Sequence, residues 1–185
     1  MKVLAISGSL RADSHNSKLL RAAAELFPAG VEVEIWDGLR EVPPYDEDDD
    51  GADAPAAVAQ LRAAIAGADA LFFATPEYNH SIPGALKNAI DWASRPAGAS
   101  VFLNKPVAVV GASTGAFGAL WAQAELRKVL GATGARVVDG ELALGHAHER
   151  FAEDGGLRDE NLRMELQELV DMLLSVTRAR EAIAA

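Results

Sequence analysis

Short apolar runs alternating with helix-period segments organise this chain. The first run is Lys2-Val-Leu-Ala-Ile-Ser7, and comparable runs recur at Val31–Trp36, Ala68–Thr75, Pro106–Gly111 and Ala135–Val138. Runs this short, apolar at nearly every position and carrying β-branched residues, suit strands buried on both faces of a parallel sheet. Between them, apolar residues return at helical spacing: Leu19, Leu20, Ala23 and Phe27; Val58, Leu61 and Ile65; Leu86, Ile90 and Ala93; Leu120, Ala124, Val129 and Leu130. The clearest stripe is the last, where Leu162, Leu166, Leu169, Leu173 and Val176 advance by four, three, four and three. Five strands alternating with five helices predict a doubly wound α/β fold. At 185 residues, the expectation is a single domain over 1–185.

Two stretches break the alternation. Leu39–Ala54 holds Pro43-Pro44 and then Asp46-Glu-Asp-Asp-Asp50, where proline and charge repulsion resist regular structure and predict a solvated loop. His146-Ala-His148-Glu149 has two histidines without a third ligand close in sequence, so the expectation is a loop and no metal site.

Composition narrows the chemistry. Half of the residues are hydrophobic and 24% charged, which excludes a wholly disordered chain. No cysteine is present, which excludes disulfides, thiol nucleophiles and cysteine-held metals and leaves oxygen and nitrogen groups or a bound cofactor. The net charge of −10 is local: seven acids and no bases lie between Glu41 and Asp53, leaving 20 acids against 17 bases elsewhere. No basic face for nucleic acid is expected. No apolar run reaches the ~18 residues of a membrane helix, and the first residues lack a signal-peptide core, so the expected location is cytoplasmic.

In an open parallel sheet, ligands bind beyond the carboxyl ends of the strands, and the loops after the first, third and fourth runs are the chain's most unusual stretches. The first, Gly8-Ser-Leu-Arg-Ala-Asp-Ser-His-Asn-Ser17, crowds hydroxyls, an amide and a guanidinium around a helix start, where backbone N–H groups already favour an anion. It lacks both the triphosphate-loop and the dinucleotide glycine patterns, so a monophosphate fits best; helix capping by Ser14 or Asn16 accounts for one of its polar residues. In the second, Thr75–Gly84, Pro76 stiffens the loop and Pro83 opens the next helix at its first position, presenting Tyr78 and Asn79 to a planar heterocycle or as a turn over the core. In the third, Gly111-Ala-Ser-Thr-Gly-Ala-Phe-Gly118, small residues allow backbone approach to a flat ligand or a tight strand-to-helix turn. Trp92 and Trp121 sit off the stripes of their helices and are candidates for subunit contacts.

The motif Gly-Ser-Leu-Arg-x-x-Ser-x-Asn at 8–16, together with Pro-Glu-Tyr-Asn-His-Ser-Ile-Pro-Gly-x-Leu-Lys-Asn-x-Ile-Asp-Trp at 76–92, resembles the NAD(P)H-dependent FMN reductase family, which includes bacterial quinone and chromate reductases. The likeness runs from Lys2 to about Leu130. It implies a flavodoxin-like three-layer sandwich with a five-stranded parallel sheet in the order 2-1-3-4-5. It also implies bound FMN and a homodimer or homotetramer with flavin near the subunit interface. Hydride would pass from NAD(P)H as co-substrate, through FMN, to quinones or other small oxidants such as flavins, azo compounds or chromate. By motif position, Ser9, Arg11, Ser14, Asn16 and Ser17 would hold the FMN phosphate. Pro76, Glu77, Tyr78 and Asn79 would lie along the isoalloxazine, with Ser113, Thr114 and Gly115 beside it. The turn Ala112–Ala116 is less glycine-rich than in many relatives, and the Asp46–Asp50 run is outside the family's motif. A flavodoxin-type electron carrier or an FMN-binding sensor is the alternative, although the first loop is not the Thr-x-Thr-Gly-Asn-Thr type of flavodoxins.

Overall fold

A computed structural model describes residues 1–51, 54–96 and 98–184. Each apolar run forms a strand: β1 Lys2–Ser7, β2 Glu32–Trp36, β3 Ala70–Thr75 and β4 Pro106–Ala112. All pair in parallel in the order β2-β1-β3-β4, with β5 (Arg136–Val137) next to β4. Helices α1 (His15–Ala24), α2 (Ala56–Gly67), α3 (Gly84–Ala93), α4 (Leu120–Ala132) and α5 (Glu160–Ala184) fill the connections. The sheet is therefore the flavodoxin-like 2-1-3-4-5 arrangement.

Side-chain alternation along the central strands builds two cores. Val3, Ala5, Phe72, Ala108 and Val110 pack on one face against Leu19, Leu20, Leu166, Leu169 and Leu173 of α1 and α5. Leu4, Ile6, Leu71, Phe73, Val107 and Val109 pack on the other against α2, α3 and α4. Burial on both faces is why these runs read as continuously apolar.

The far edge departs from the expected single strand at Ala135–Val138. β5 pairs with Pro106 and Val107, and a sixth strand, β6 (Ala143–Leu144), pairs with Gly111 and Ala112. Asp139-Gly140-Glu141 lies between them, and the Arg127 guanidinium donates to the carbonyls of Val138 and Gly140, supplying partners that strand pairing does not. The segment around His146, expected as loop, is led by β6 and continues into a 3-10 turn at Ala147–Glu149. Among the described residues, no group of three or more His, Cys, Asp or Glu side chains could hold a metal ion.

Three further expectations change. Pro83 is the N-cap of α3 and not its first helical residue. The 39–54 stretch is irregular and exposes Asp46–Asp49, but it is docked and not freely solvated. The Pro43 carbonyl accepts from Asn88 Nδ2 at 2.7 Å and from Trp92 Nε1 at 2.8 Å, and Asp50 pairs with Arg62 at 2.6 Å. Asp53 lies outside the described residues. Trp92, expected at a subunit contact, is 0% exposed beneath this segment, with the Tyr45 ring 4.8 Å away. No described helix is long and apolar enough to cross a membrane.

Candidate functional site

The chain runs outward from β1 to β2 and returns to β3, so the sheet's topological switch lies between β1 and β3, and the loops after β1, β3 and β4 meet beyond their carboxyl ends. Gly8 lets them approach: its N–H donates to the Ala74 carbonyl at 2.8 Å, and a Cβ there would stand 2.9 Å from Leu86 Cδ2 and 3.3 Å from Pro76 Cδ.

In the first loop, Ser14 caps α1, its Oγ accepting from the N–H groups of Asn16 and Ser17 at 3.2 and 3.3 Å. The His15 N–H, at the first helical position, has no intrahelical acceptor. Ser7, which sequence reasoning passed over as strand, carries a buried hydroxyl that accepts from the Ser9 N–H at 3.3 Å and from Ser17 Oγ at 3.2 Å. Arg11 is exposed, its nearest carboxylate among the described residues being Asp13 at 3.8 Å, while Asp13 itself pairs with Lys18 at 2.6 Å. The Lys18 ammonium holds the Asp13 carboxyl below its usual range. Asn16 is buried, and its amide exchanges two 2.9 Å hydrogen bonds with the Ala112 backbone.

The second loop ends in a tight hairpin. Tyr78 and Ser81 exchange backbone hydrogen bonds at 3.0 and 3.1 Å, and the intervening Asn79 and His80 both take left-handed backbone, with φ of 53° and 59°. Tyr78 is 54% exposed. Glu77 turns toward α4: its Oε2 accepts from the N–H groups of Trp121 at 3.0 Å and Ala122 at 3.2 Å. Its Oε1 stands 3.5 Å from His80 Nδ1.

The third loop is held from behind. Ser113 N–H donates to Leu144 at 3.1 Å, Ala147 N–H to Ser113 at 3.0 Å, and His146 N–H to Gly115 at 3.0 Å. Gly118, with φ 55°, lies so close to β6 that a Cβ would fall 2.2 Å from the Ala143 carbonyl carbon. The tight strand-to-helix turn expected of these small residues is present.

A cavity of about 180 Å³ lies between the three loops. Nine of the twelve residues expected to hold a cofactor line it: Ser9, Arg11, Ser14, Asn16, Pro76, Glu77, Tyr78, Ser113 and Thr114. Ser17 lies behind it against Ser7, Asn79 is at the hairpin tip, and the Gly115 carbonyl is taken by His146. His15 and Ala112 also line it. The position of His15 directly after Ser14, inside the polar cluster, was the available signal. The His15 ring stacks near-parallel on Phe151, and its Nδ1 is buried without a hydrogen-bond partner. Burial, reinforced by the Lys18 and Arg11 charges, lowers its pKa from the ordinary value. A larger cavity of about 340 Å³ between α1, residues 152–157 and α5 receives none of the three loops.

The cavity thus brings an exposed guanidinium, several hydroxyls, a helix start, a proline and a tyrosine together at the carboxyl end of a flavodoxin-like sheet. Residues 1–149 match the family described as NADPH-dependent FMN reductase. NAD(P)H-dependent FMN reductase PA1204 of Pseudomonas aeruginosa is 44% identical over 94% of this chain and 93% of its own length. A 2-hydroxy-1,4-benzoquinone reductase of a Burkholderia species is 39% identical over 97% and 98%. Among solved structures, FerB, a flavoenzyme NAD(P)H:(acceptor) oxidoreductase from Paracoccus denitrificans, superposes with a TM-score of 0.88 at 38% identity, covering 96% of this chain and 97% of that one. The chain belongs to the NADPH-dependent FMN reductase family.

Proposed function

We propose that this protein is an FMN-dependent NAD(P)H oxidoreductase that delivers two electrons to quinones. The observation that carries the reading is the exposed Arg11 guanidinium, whose nearest carboxylate among the described residues is Asp13 at 3.8 Å, at a cavity shared with the α1 start, Pro76 and Tyr78. The residues fit FMN. A phosphate would be held by Arg11, the hydroxyls of Ser9 and Ser14, and the positive end of α1. The cavity, about 180 Å³, is smaller than the ~300–1,000 Å³ of a pocket enclosing a whole ligand, so it would hold part of FMN and leave part exposed. Pro76 and Tyr78 supply apolar and aromatic lining, and Ser113 and Thr114 add hydroxyls.

FMN, when bound, supplies the hydride chemistry that no side chain of this chain offers. The protein's own part is to bind, orient and leave one ring face open. No side chain is assigned as a proton donor. The preference for quinones draws on the Burkholderia relative, named for a benzoquinone. In this reading the chain is a single domain, assembles as a homodimer or homotetramer, and acts in the cytoplasm.

The test is NAD(P)H oxidation by purified, FMN-loaded protein with and without a benzoquinone. Absorbance near ~450 nm and quinone-dependent turnover are expected. A bound flavin with no turnover would leave the electron carrier or sensor.

A further inference from the structure

We infer that Glu77 is a positioning residue: from the loop after β3 it caps α4 and so fixes the hairpin wall of the cavity. The inference rests on FMN occupying that cavity, and it assigns Glu77 an effect on flavin exerted through the wall and not by contact.

α4 has no cap of its own. Its N-cap residue, Ala119, is in left-handed backbone at φ 63° with no side-chain hydrogen bond to offer. Helix starts leave N–H groups without partners, and Ser, Thr, Asp or Asn normally supplies the missing acceptor. Here that acceptor arrives from 44 residues upstream, through the hydrogen bonds of Glu77 Oε2 to Trp121 and Ala122. The carboxylate also meets the positive end of the helix. It is 15% exposed, so it is committed to this contact and not extended into solvent.

The cap acts at a place that needs it. Two consecutive non-glycine residues in left-handed backbone, Asn79 and His80, make a strained turn that persists only where its surroundings over-determine it. Within the hairpin the support is two backbone bonds between Tyr78 and Ser81. Glu77 adds a tether on the adjacent residue, anchored on a helix start that is itself pinned: Gly118 lies against β6, and Gln123 Nε2 donates to the Gly118 carbonyl at 3.2 Å. Glu77 thus locks the second loop to the third. Without it the hairpin spends less time in the binding-competent shape, and apparent affinity falls by that fraction.

Apo wild-type, Glu77→Ala and Glu77→Gln proteins are titrated with FMN and with riboflavin, and the visible spectra of the bound flavins are recorded. Glutamine keeps an oxygen able to accept both N–H groups but removes the charge. We expect Glu77→Ala to weaken both flavins about tenfold and alter the visible band, with Glu77→Gln restoring affinity to within about threefold of wild type. Should Glu77→Ala fail to fold, Glu77→Asp, charged but one methylene short of α4, is expected to show the same loss. Wild-type affinity and spectrum in the variant without the cap overturn the inference. So does a glutamine variant as weak as alanine, because the hydrogen-bonded cap that glutamine restores then does not set the affinity. Wild-type protein that binds no FMN overturns the functional reading instead.

Discussion

Asn16 and Ala112 are clasped by two hydrogen bonds: the Asn16 amide donates to the Ala112 carbonyl and accepts its N–H, each at 2.9 Å. The clasp joins the start of α1 to the end of β4, so two of the three cavity walls move as one. Asn16, expected to reach the phosphate, lines the cavity while its side chain also holds the backbone of the opposite loop. Asn16→Ala leaves a buried carbonyl and N–H without these partners, and the expected loss is about 1–3 kcal/mol, read as a lower urea midpoint at unchanged slope. A wild-type midpoint would mean that the clasp contributes nothing net.

His15 gives the site a pH dependence with a defined sign. Its folded pKa lies below the ordinary 6.5, chiefly through burial and then through Lys18 and Arg11. A lowered folded value means that the unfolded chain takes up the proton first as pH falls. The neutral imidazole's contribution is therefore complete above 6.5 and is lost as pH drops through the folded value. Unfolding of wild type and His15→Gln at pH 7.5 and pH 5 should show wild type losing ground to the variant on acidification. Equal losses in both would contradict the assignment.

Much of this was legible in the sequence, because buried parallel strands and amphipathic helices leave unmistakable periods. β1, β3 and β4 match their runs nearly residue for residue. The far edge was not legible, since two-residue strands interrupted by Asp139-Gly140-Glu141 carry no period and depend on Arg127 from another element. Trp92 misled because its helical position looked surplus, whereas a segment nearly fifty residues upstream covers it and accepts its N–H. The site loops were recognisable by composition. The roles of Asn16 and Glu77 within them were not, because each depends on a partner 96 or 44 residues away.

With Trp92 buried, the subunit-contact expectation rests on α4. Trp121 is 41% exposed, edge-on to Phe117 at 5.1 Å and to His80 at 4.9 Å, and Phe117 is 61% exposed. An exposed aromatic cluster beside the cavity has the composition of an interface core. The expected result by light scattering at micromolar concentration is a dimer or tetramer, with Phe117→Asp shifting the mass toward monomer. A monomeric wild type would remove the interface.

The most direct test of the account is calorimetric titration of apo protein with FMN and with riboflavin, in wild type and Arg11→Ala. If Arg11 meets the phosphate, its removal weakens FMN about tenfold or more, leaves riboflavin affinity unchanged and leaves the fold intact by circular dichroism. FMN affinity unchanged in Arg11→Ala, or FMN and riboflavin binding equally to wild type, would place the phosphate outside the cavity between the three loops.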